Sequence, residues 1–220
     1  ATDEATFQII RALAVKLGSA ADQPLVDIGT GSAQAPAPSL PALRLSWTPD
    51  EASLEQAVAL FNQAIADDPN YAEAWAGLAQ AYVYLADVYR APLDLLPAMK
   101  GAAEKAVALA PKLASAHLQL GYVLLNYERD FEAGRRELEL AVALNPGSPL
   151  AHALLGLYRL RIDKDPARAR SELQIARKLD PLNAWYPRWE VFAAVAQGDA
   201  TAAAQLAARR LFRCDPPSLD

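Results

Sequence analysis

A proline recurs at a nearly fixed interval along most of this chain. Each follows Asp, Asn or Ala, and the prolines at 69, 111, 146, 181 and 216 stand 42, 35, 35 and 35 residues apart. The residue before a proline is driven out of the helical backbone region, so each of these dipeptides ends a helix. A period of this length is the mark of stacked helical or other supersecondary repeats. The sequence therefore predicts a repeat array.

Positions at a fixed distance from each proline hold related side chains. Six residues after the first four prolines lie Trp75, His117, His152 and Pro187. Ten residues after them lie Ala79, Gly121, Gly156 and Val191. Five residues before all five prolines lie Ala64, Ala106, Ala141, Ala176 and Leu211. Bulky residues at helical spacing predict a buried face, and the small residues let two helices approach closely.

This order of bulky, Leu, small, aromatic, Ala, Ala and Pro positions resembles the tetratricopeptide repeat (TPR), a helix–turn–helix unit. The resemblance covers residues 48–216. It implies an all-α, right-handed superhelical solenoid of about four to five helix pairs over residues 48–220. Before it, the sequence predicts an N-terminal amphipathic helix at 1–18 and a Pro/Gly-rich linker at 19–47.

The first unit departs from the pattern in its length. The interval from residue 69 to 111 is seven residues longer than the others. This predicts an insertion around residues 87–97, where Pro92 and Pro97 break one helix and start the next. Ahead of it, Thr48-Pro49 predicts the N-cap and first turn of the leading helix.

The last unit departs in its core. Pro187 and Glu190 occupy positions that are bulky or Leu in the other units. We therefore expect its first helix to be displaced, so that it buries Trp189 and Phe192 instead.

A second motif lies in the linker, at residues 24–32. The run Pro-Leu-Val-Asp-Ile-Gly-Thr-Gly-Ser resembles the first motif of S-adenosylmethionine-dependent methyltransferases, in which a strand ends in a Gly-rich turn under the cofactor. That chemistry requires a helix directly after the turn and a parallel sheet around it. A Pro/Ala segment and helical repeats follow here instead. We therefore expect a linker, and a methyltransferase fragment is the remote alternative.

Charge and composition bear on the class of partner. The 220 residues carry a net charge of −5, with −7 in residues 1–110 and +2 in residues 111–220. The acidic N-terminal half argues against a nucleic-acid-binding surface over the whole molecule, so we expect no nucleic-acid partner, while the C-terminal half leaves a basic patch open as an alternative. No apolar run reaches the ~18 residues that span a bilayer. The single cysteine, Cys214, allows no internal disulfide, and the compartment stays open between a bacterial cytoplasm and periplasm.

The histidines His117 and His152 are the first candidates for a chemical role. A metal site would need both on one surface, with carboxylate or thiolate ligands beside them. Their equal repeat phase instead predicts that each fills the core position of Trp75. No other constellation indicates acid–base catalysis. We therefore expect no enzyme activity, no cofactor and no metal.

The predicted working surface is the concave side of the solenoid, which the first helices of the pairs line. Positions that flank the core positions there are more apolar than a solvated surface requires, which indicates that a peptide or partner segment covers them. The predicted groove residues are Glu73, Gln80, Val83, Ser115, Leu118, Tyr122, Leu125, Asn126, Leu157 and Arg161. The alternative occupants are the N-terminal helix, the linker or a second copy of the chain in a homo-oligomer.

A narrower resemblance involves residues 53–82, 130–133 and 176–182. These stretches look like the C-terminal repeat region of bacterial winged-helix regulators and adenylyl cyclases, where the repeats follow an effector domain. The resemblance implies a non-catalytic protein-interaction module with a sensing or regulatory role. The alternative is a structural scaffold or assembly subunit of a larger complex.

Overall fold

A computed structural model describes residues 50–183 and 185–211, which all belong to one compact unit. This part of the chain contains nine α-helices and no strand. The helices are α1 (Glu51–Asp67), α2 (Ala72–Val88), α3 (Pro92–Leu109), α4 (Ala114–Val123), α5 (Phe131–Leu144), α6 (Pro149–Arg161), α7 (Pro166–Leu179), α8 (Trp185–Ala196) and α9 (Ala200–Leu211). A π-helical turn, Leu124–Glu128, continues α4.

Several expectations concern residues outside this described part. They are the N-terminal helix at 1–18, the linker at 19–47, the methyltransferase-like motif at 24–32 and Cys214. They stay predictions.

The helices pack as consecutive pairs. α2 packs against α3, α4 against α5, α6 against α7 and α8 against α9, while α1 packs against α2 as a single leading helix. The second helix of each pair also contacts the first helix of the next pair. The predicted all-helical repeat solenoid is confirmed, with four complete pairs within residues 72–183 and 185–211.

The periodic prolines end helices as their spacing predicts. Helices α1, α3, α5 and α7 each end two residues before a periodic proline, at the residue that precedes the C-cap. The C-cap residues are Asp68, Ala110, Asn145 and Asp180, with φ between −139° and −132° and ψ between 82° and 96°. This backbone lies outside the helical region because the proline ring crowds the preceding residue.

Side-chain caps fix where several helices begin. Asp50 accepts a hydrogen bond from the backbone N–H of Ser53 over 2.8 Å, so α1 begins at Glu51. The predicted N-cap at Thr48 is therefore wrong, because the Asp50 carboxylate satisfies the free N–H group at that helix end. Equivalent caps start the later second helices α5 and α7 and the first helix α6.

The seven extra residues before Pro111 lengthen two helices. Helices α2 and α3 have 17 and 18 residues, whereas α6 and α7 have 13 and 14. Pro92 lies in the first turn of α3, where its missing N–H needs no partner. The expectation that Pro97 also breaks the helix is wrong, since it lies inside α3. The buried residues that follow it in α3, Met99 among them, hold the helix against its neighbours.

Small residues set the closest approaches between helices. A Cβ atom on Gly121 would lie 2.9 Å from Cγ of Leu138, and one on Gly156 would meet α7 at a similar distance. A Cβ atom on Gly77 would overlap the ring of Phe61. The Gly121 and Gly156 contacts confirm the prediction that small residues in this phase allow tight pairing, and Gly77, which is in another phase, lets α2 approach α1.

Candidate functional site

Four of the ten predicted groove residues lie around one cleft of about 250 Å³. Helix α6, the π-turn and the loop into α5 form this cleft. Its lining residues are Leu125, Asn126, Arg129, Phe131, Leu154, Leu157, Tyr158, Arg161 and Ile162. Most of these side chains are apolar, and the asparagine and two arginines supply polar groups. A site of this kind accepts an apolar side chain and fixes its orientation with a few polar contacts.

The turn after α4 shapes one side of the cleft. Leu124–Glu128 forms a wider π-helical turn, and the Asp130 N–H closes it on the carbonyl of Leu124 over 3.0 Å. Arg129 takes the left-handed conformation, with φ of 60°. This abrupt stop presents Asn126 and Arg129 to the cleft, and π-turns of this kind occur frequently at functional sites.

Val83 was predicted to lie on the groove surface, but it is buried. It is 4% exposed and packs with Met99 and Val123 in the core between helices, so it offers no area to a partner. The helical phase alone did not reveal this, because the longer α3 covers the end of α2. Three further predicted residues keep some exposure but do not line the cleft: Glu73, Gln80 and Ser115.

The apolar character of the groove has an internal cause as well. Leu118, Tyr122 and Leu125 of α4 and its π-turn are half-buried against Leu157 of α6, and Trp189 of α8 joins the same cluster. Part of this apolar surface is therefore covered by the neighbouring first helices. Leu125 and Leu157 also line the cleft, where part of this surface stays open.

Tyr122 is fixed by a hydrogen-bond network rather than free to meet a ligand. Its hydroxyl donates to Asp87 Oδ2 over 2.6 Å, and the Tyr127 hydroxyl donates to Asp87 Oδ1. Burial, reinforced by the Asp87 carboxylate, raises the pKa of Tyr122 far above its usual range. The network ties the end of α2 to α4 and the π-turn.

The two histidines fill the core position of Trp75, as predicted. His117 and His152 are 3% and 6% exposed. Their Nε2 atoms bond the carbonyls of Pro111 and Pro146 over 2.9 and 3.0 Å. Trp75 Nε1 bonds the carbonyl six residues before it in the same way, over 3.0 Å. No group of three or more metal-ligating side chains occurs within the described residues.

Each histidine also meets a glutamate of the second helix in its pair. His117 Nδ1 lies 2.6 Å from Glu137 Oε2, and His152 Nδ1 lies 2.7 Å from Glu172 Oε2. The Glu172 hydrogen bond, opposed by burial, raises the pKa of His152. These contacts join the two helices of one pair, which is a structural role.

Sequence reasoning missed exposed aromatic residues on α8. Trp185, Arg188 and Phe192 stand four, seven and eleven residues after Pro181, the offsets that predicted Ser115, Leu118 and Tyr122 after Pro111. The expectation that Phe192 is buried is wrong, since it is 51% exposed. The repeat phase could have identified these groove positions if α8 had not been assumed to be displaced.

The reason α8 keeps its register is the ion pair of Glu190. This residue is 1% exposed in the core, and its Oε1 accepts a hydrogen bond from Arg177 Nε of α7 over 2.6 Å. The guanidinium compensates the buried charge, so the helix does not rotate to expose Glu190. Trp189 is partly buried, as predicted, and packs against Ala153 and other core residues.

Solved structures show what this arrangement is similar to. MamA 41-end from Desulfovibrio magneticus RS-1 is 22% identical, with a TM-score of 0.56 over 81% of this chain and 96% of that one. TTC0263, a thermophilic TPR protein in Thermus thermophilus, is 19% identical, with a TM-score of 0.62 over 80% and 90%. The fold is a TPR solenoid.

A third TPR structure adds to this likeness. YrrB, described as a TPR protein with an unusual peptide-binding site, is 19% identical, with a TM-score of 0.53 over 79% of this chain and 85% of that one. No protein-family model and no curated protein matches the sequence. Within the described residues, the TPR helices are all too short or too polar to cross a bilayer.

Proposed function

We propose that this chain is a non-catalytic protein-interaction module that binds a peptide or partner segment on its concave side. The observation that carries the proposal is the cleft that brings Leu125 and Asn126 together with Leu157 and Arg161. These residues come from successive first helices and meet around an apolar space. A partner segment crossing the first helices would place one apolar side chain in this cleft.

The tightly packed repeats support recognition rather than chemistry. The histidines are held in the core, and the Tyr122 hydroxyl is engaged with Asp87. The cleft offers guanidinium and amide groups, which bind and orient a partner but include no general base. The peptide-binding site of YrrB, a protein of the same fold, is consistent with this use of the scaffold.

The biological setting of the module is a further part of the proposal. We favour the sensing or regulatory region of a bacterial regulator, on the resemblance of residues 53–82 to such repeats. A scaffold subunit with a permanent partner is the alternative, and it predicts stoichiometric co-purification of that partner. The remote alternative, a methyltransferase fragment, requires binding of S-adenosylmethionine. Calorimetry tests it, and no measurable binding would reject it.

A substitution that fills the cleft tests the site directly. Asn126 is exposed, so Asn126→Trp blocks the cleft without disturbing the core. Ala143→Trp on the exposed surface of α5 is the matched control. Affinity capture with crosslinking and mass spectrometry compares both variants with the wild type, and circular dichroism checks that helix content is unchanged.

We expect Asn126→Trp to lose the captured partner and Ala143→Trp to keep it. In the wild type, crosslinks should join the partner to the ends of α4 and α6. Retention of the partner by Asn126→Trp, with the same crosslinks, would show that the cleft is not the binding site.

A further inference from the structure

Three arginines on the groove side lack a carboxylate partner in the part of the chain that the structure describes. Arg129 and Arg161 line the cleft, and Arg188 projects from α8. Most other described arginines are ion-paired, whereas Arg136 on the exposed surface of α5 is not. Arg159 lies 3.4 Å from Glu139, Arg170 lies 3.0 Å from Asp199, and Arg177 lies 2.6 Å from Glu190. The three groove arginines have no ion pair to neutralise them, and they differ from Arg136 in lying beside apolar side chains.

The carboxylates nearest in sequence to Arg129 are engaged elsewhere. Glu128 bonds Lys100 over 2.7 Å, and Asp130 caps α5 through the backbone N–H of Ala133. Both carboxylates are thus engaged in other contacts, so the N–H donors of the Arg129 guanidinium are available to an acceptor on a partner.

The same holds for Arg161. The closest acidic residue in sequence, Asp163, lies 3.7 Å from Arg159 instead. Arg161 therefore reaches the cleft as a cation whose hydrogen-bond donors are available for a planar acceptor such as a carboxylate.

Apolar contact area surrounds the third arginine. The Arg188 guanidinium lies 5.5 Å from the ring centroid of Trp185 and 5.9 Å from that of Phe192. Both rings are about half exposed, at 56% and 51%. The guanidinium lies over these two rings, and this contact restricts its motion, which lowers the entropy cost of binding an anion.

Trp185 and Phe192 also offer a surface for apolar side chains beside that cation. Val195, 62% exposed, extends this surface along α8. The first helices α6 and α8 thus each present one unpaired arginine beside apolar side chains.

We infer that the partner segment is an acidic polypeptide, with carboxylates spaced among apolar or aromatic side chains. The inference rests on the proposed function, because it names the chemistry of the partner bound at that site. Charge complementarity carries it: three uncompensated cations lie beside apolar surface, while the whole chain is negatively charged at −5. The local positive charge would steer an acidic segment to the groove side and fix its register.

A random 12-residue peptide library displayed on messenger RNA tests the inference with the full chain as bait. The peptides enriched by selection are the probes, and fluorescence anisotropy measures their affinities. The test variant carries Arg161→Glu and Arg188→Glu with Arg129→Asn, since asparagine tolerates the left-handed backbone at that position. Arg136→Glu, on the exposed surface of α5, is the matched control for charge.

We expect the enriched peptides to combine Asp or Glu with Leu, Phe or Trp. The triple variant should bind them at least about tenfold more weakly, because it reverses two of the three positive charges and removes the third. Arg136→Glu should change the affinity less than about twofold, as an exposed charge away from the site.

Two other outcomes separate this inference from the proposed function. Enrichment of basic or uncharged peptides, or of peptides that bind the triple variant as well as the wild type, would overturn the acidic partner and leave peptide binding standing. Failure to enrich any peptide that Asn126→Trp weakens would overturn the cleft as a binding site, and the inference with it.

Discussion

At the scale of single residues, one core position accepts different side chains that keep the same hydrogen bond. Trp75 and His152 both bond the carbonyl of the proline six residues before them. The imidazole of His152 additionally faces Glu172 through Nδ1. Both ring nitrogens face oxygen acceptors, and only the protonated imidazolium can donate from both. The substitution of Trp by His therefore introduces pH dependence at this position.

We predict that His152 stabilises the fold more at low pH than at high pH. Its hydrogen bond to Glu172 raises the pKa in the folded state above the ordinary value of 6.5. The stabilisation is thus fully present below about pH 6.5 and is lost as the pH rises through the folded-state pKa. Urea unfolding of wild type and His152→Gln at pH 5.5 and 8.5 measures the difference. A free-energy gap between the two proteins that stays constant or grows with pH would contradict the ion pair.

Two glycines allow opposite predictions for the same substitution. Gly77→Ala places a Cβ atom against the fully buried ring of Phe61, and overpacking of this kind costs ~1–3 kcal/mol. Gly101 is an exposed residue inside α3, and a Cβ atom added to it would have no neighbour within 4 Å. Gly101→Ala should therefore stabilise the chain by ~0.5–1 kcal/mol through higher helix propensity. Thermal unfolding compares the two, and equal shifts would contradict the assigned packing.

At the scale of helices, the last pair shows how one ion pair maintains the repeat register. Glu190 stands nine residues after its proline, where the other units have Leu78, Leu120 and Leu155. Arg177 of α7 compensates its charge, so α8 keeps the orientation of an ordinary first helix. This orientation exposes Trp185 and Phe192 on the groove side.

We predict that the two members of this pair respond differently to substitution. Arg177→Ala leaves a buried carboxylate without its cation, which should lower the unfolding free energy by ~2–5 kcal/mol. Glu190→Leu restores the leucine of the other units. Arg177 is exposed enough to reach water once its partner is gone, so the Glu190→Leu variant should be at least as stable as the wild type. Denaturant unfolding measures both. An unchanged unfolding free energy in Arg177→Ala would show that the ion pair does not hold α8 in place.

At the scale of the whole molecule, local rules predicted the architecture better than the site. A proline acts on the residue directly before it, so the C-caps at Asp68 and Asp180 followed from the sequence. Pro97 did not, because burial of the rest of α3 outweighs one lost hydrogen bond. The cleft depends on the π-turn 124–128, which arises from packing between helices and has no periodic signature in the sequence. The position relative to the periodic prolines therefore predicted Asn126 and Arg161 at the site but not Arg129.

Hydrogen exchange of the full chain, with and without its captured partner, maps the binding surface along the whole solenoid. Partner binding on the groove side should slow exchange at the end of α4 and the π-turn, residues 120–131, and in the second half of α6, residues 154–162. The second helices α3, α5 and α7 should exchange as they do in the free chain. Slower exchange confined to α3, α5 and α7, with residues 120–131 and 154–162 unchanged, would place the partner on the opposite side and rule out groove binding.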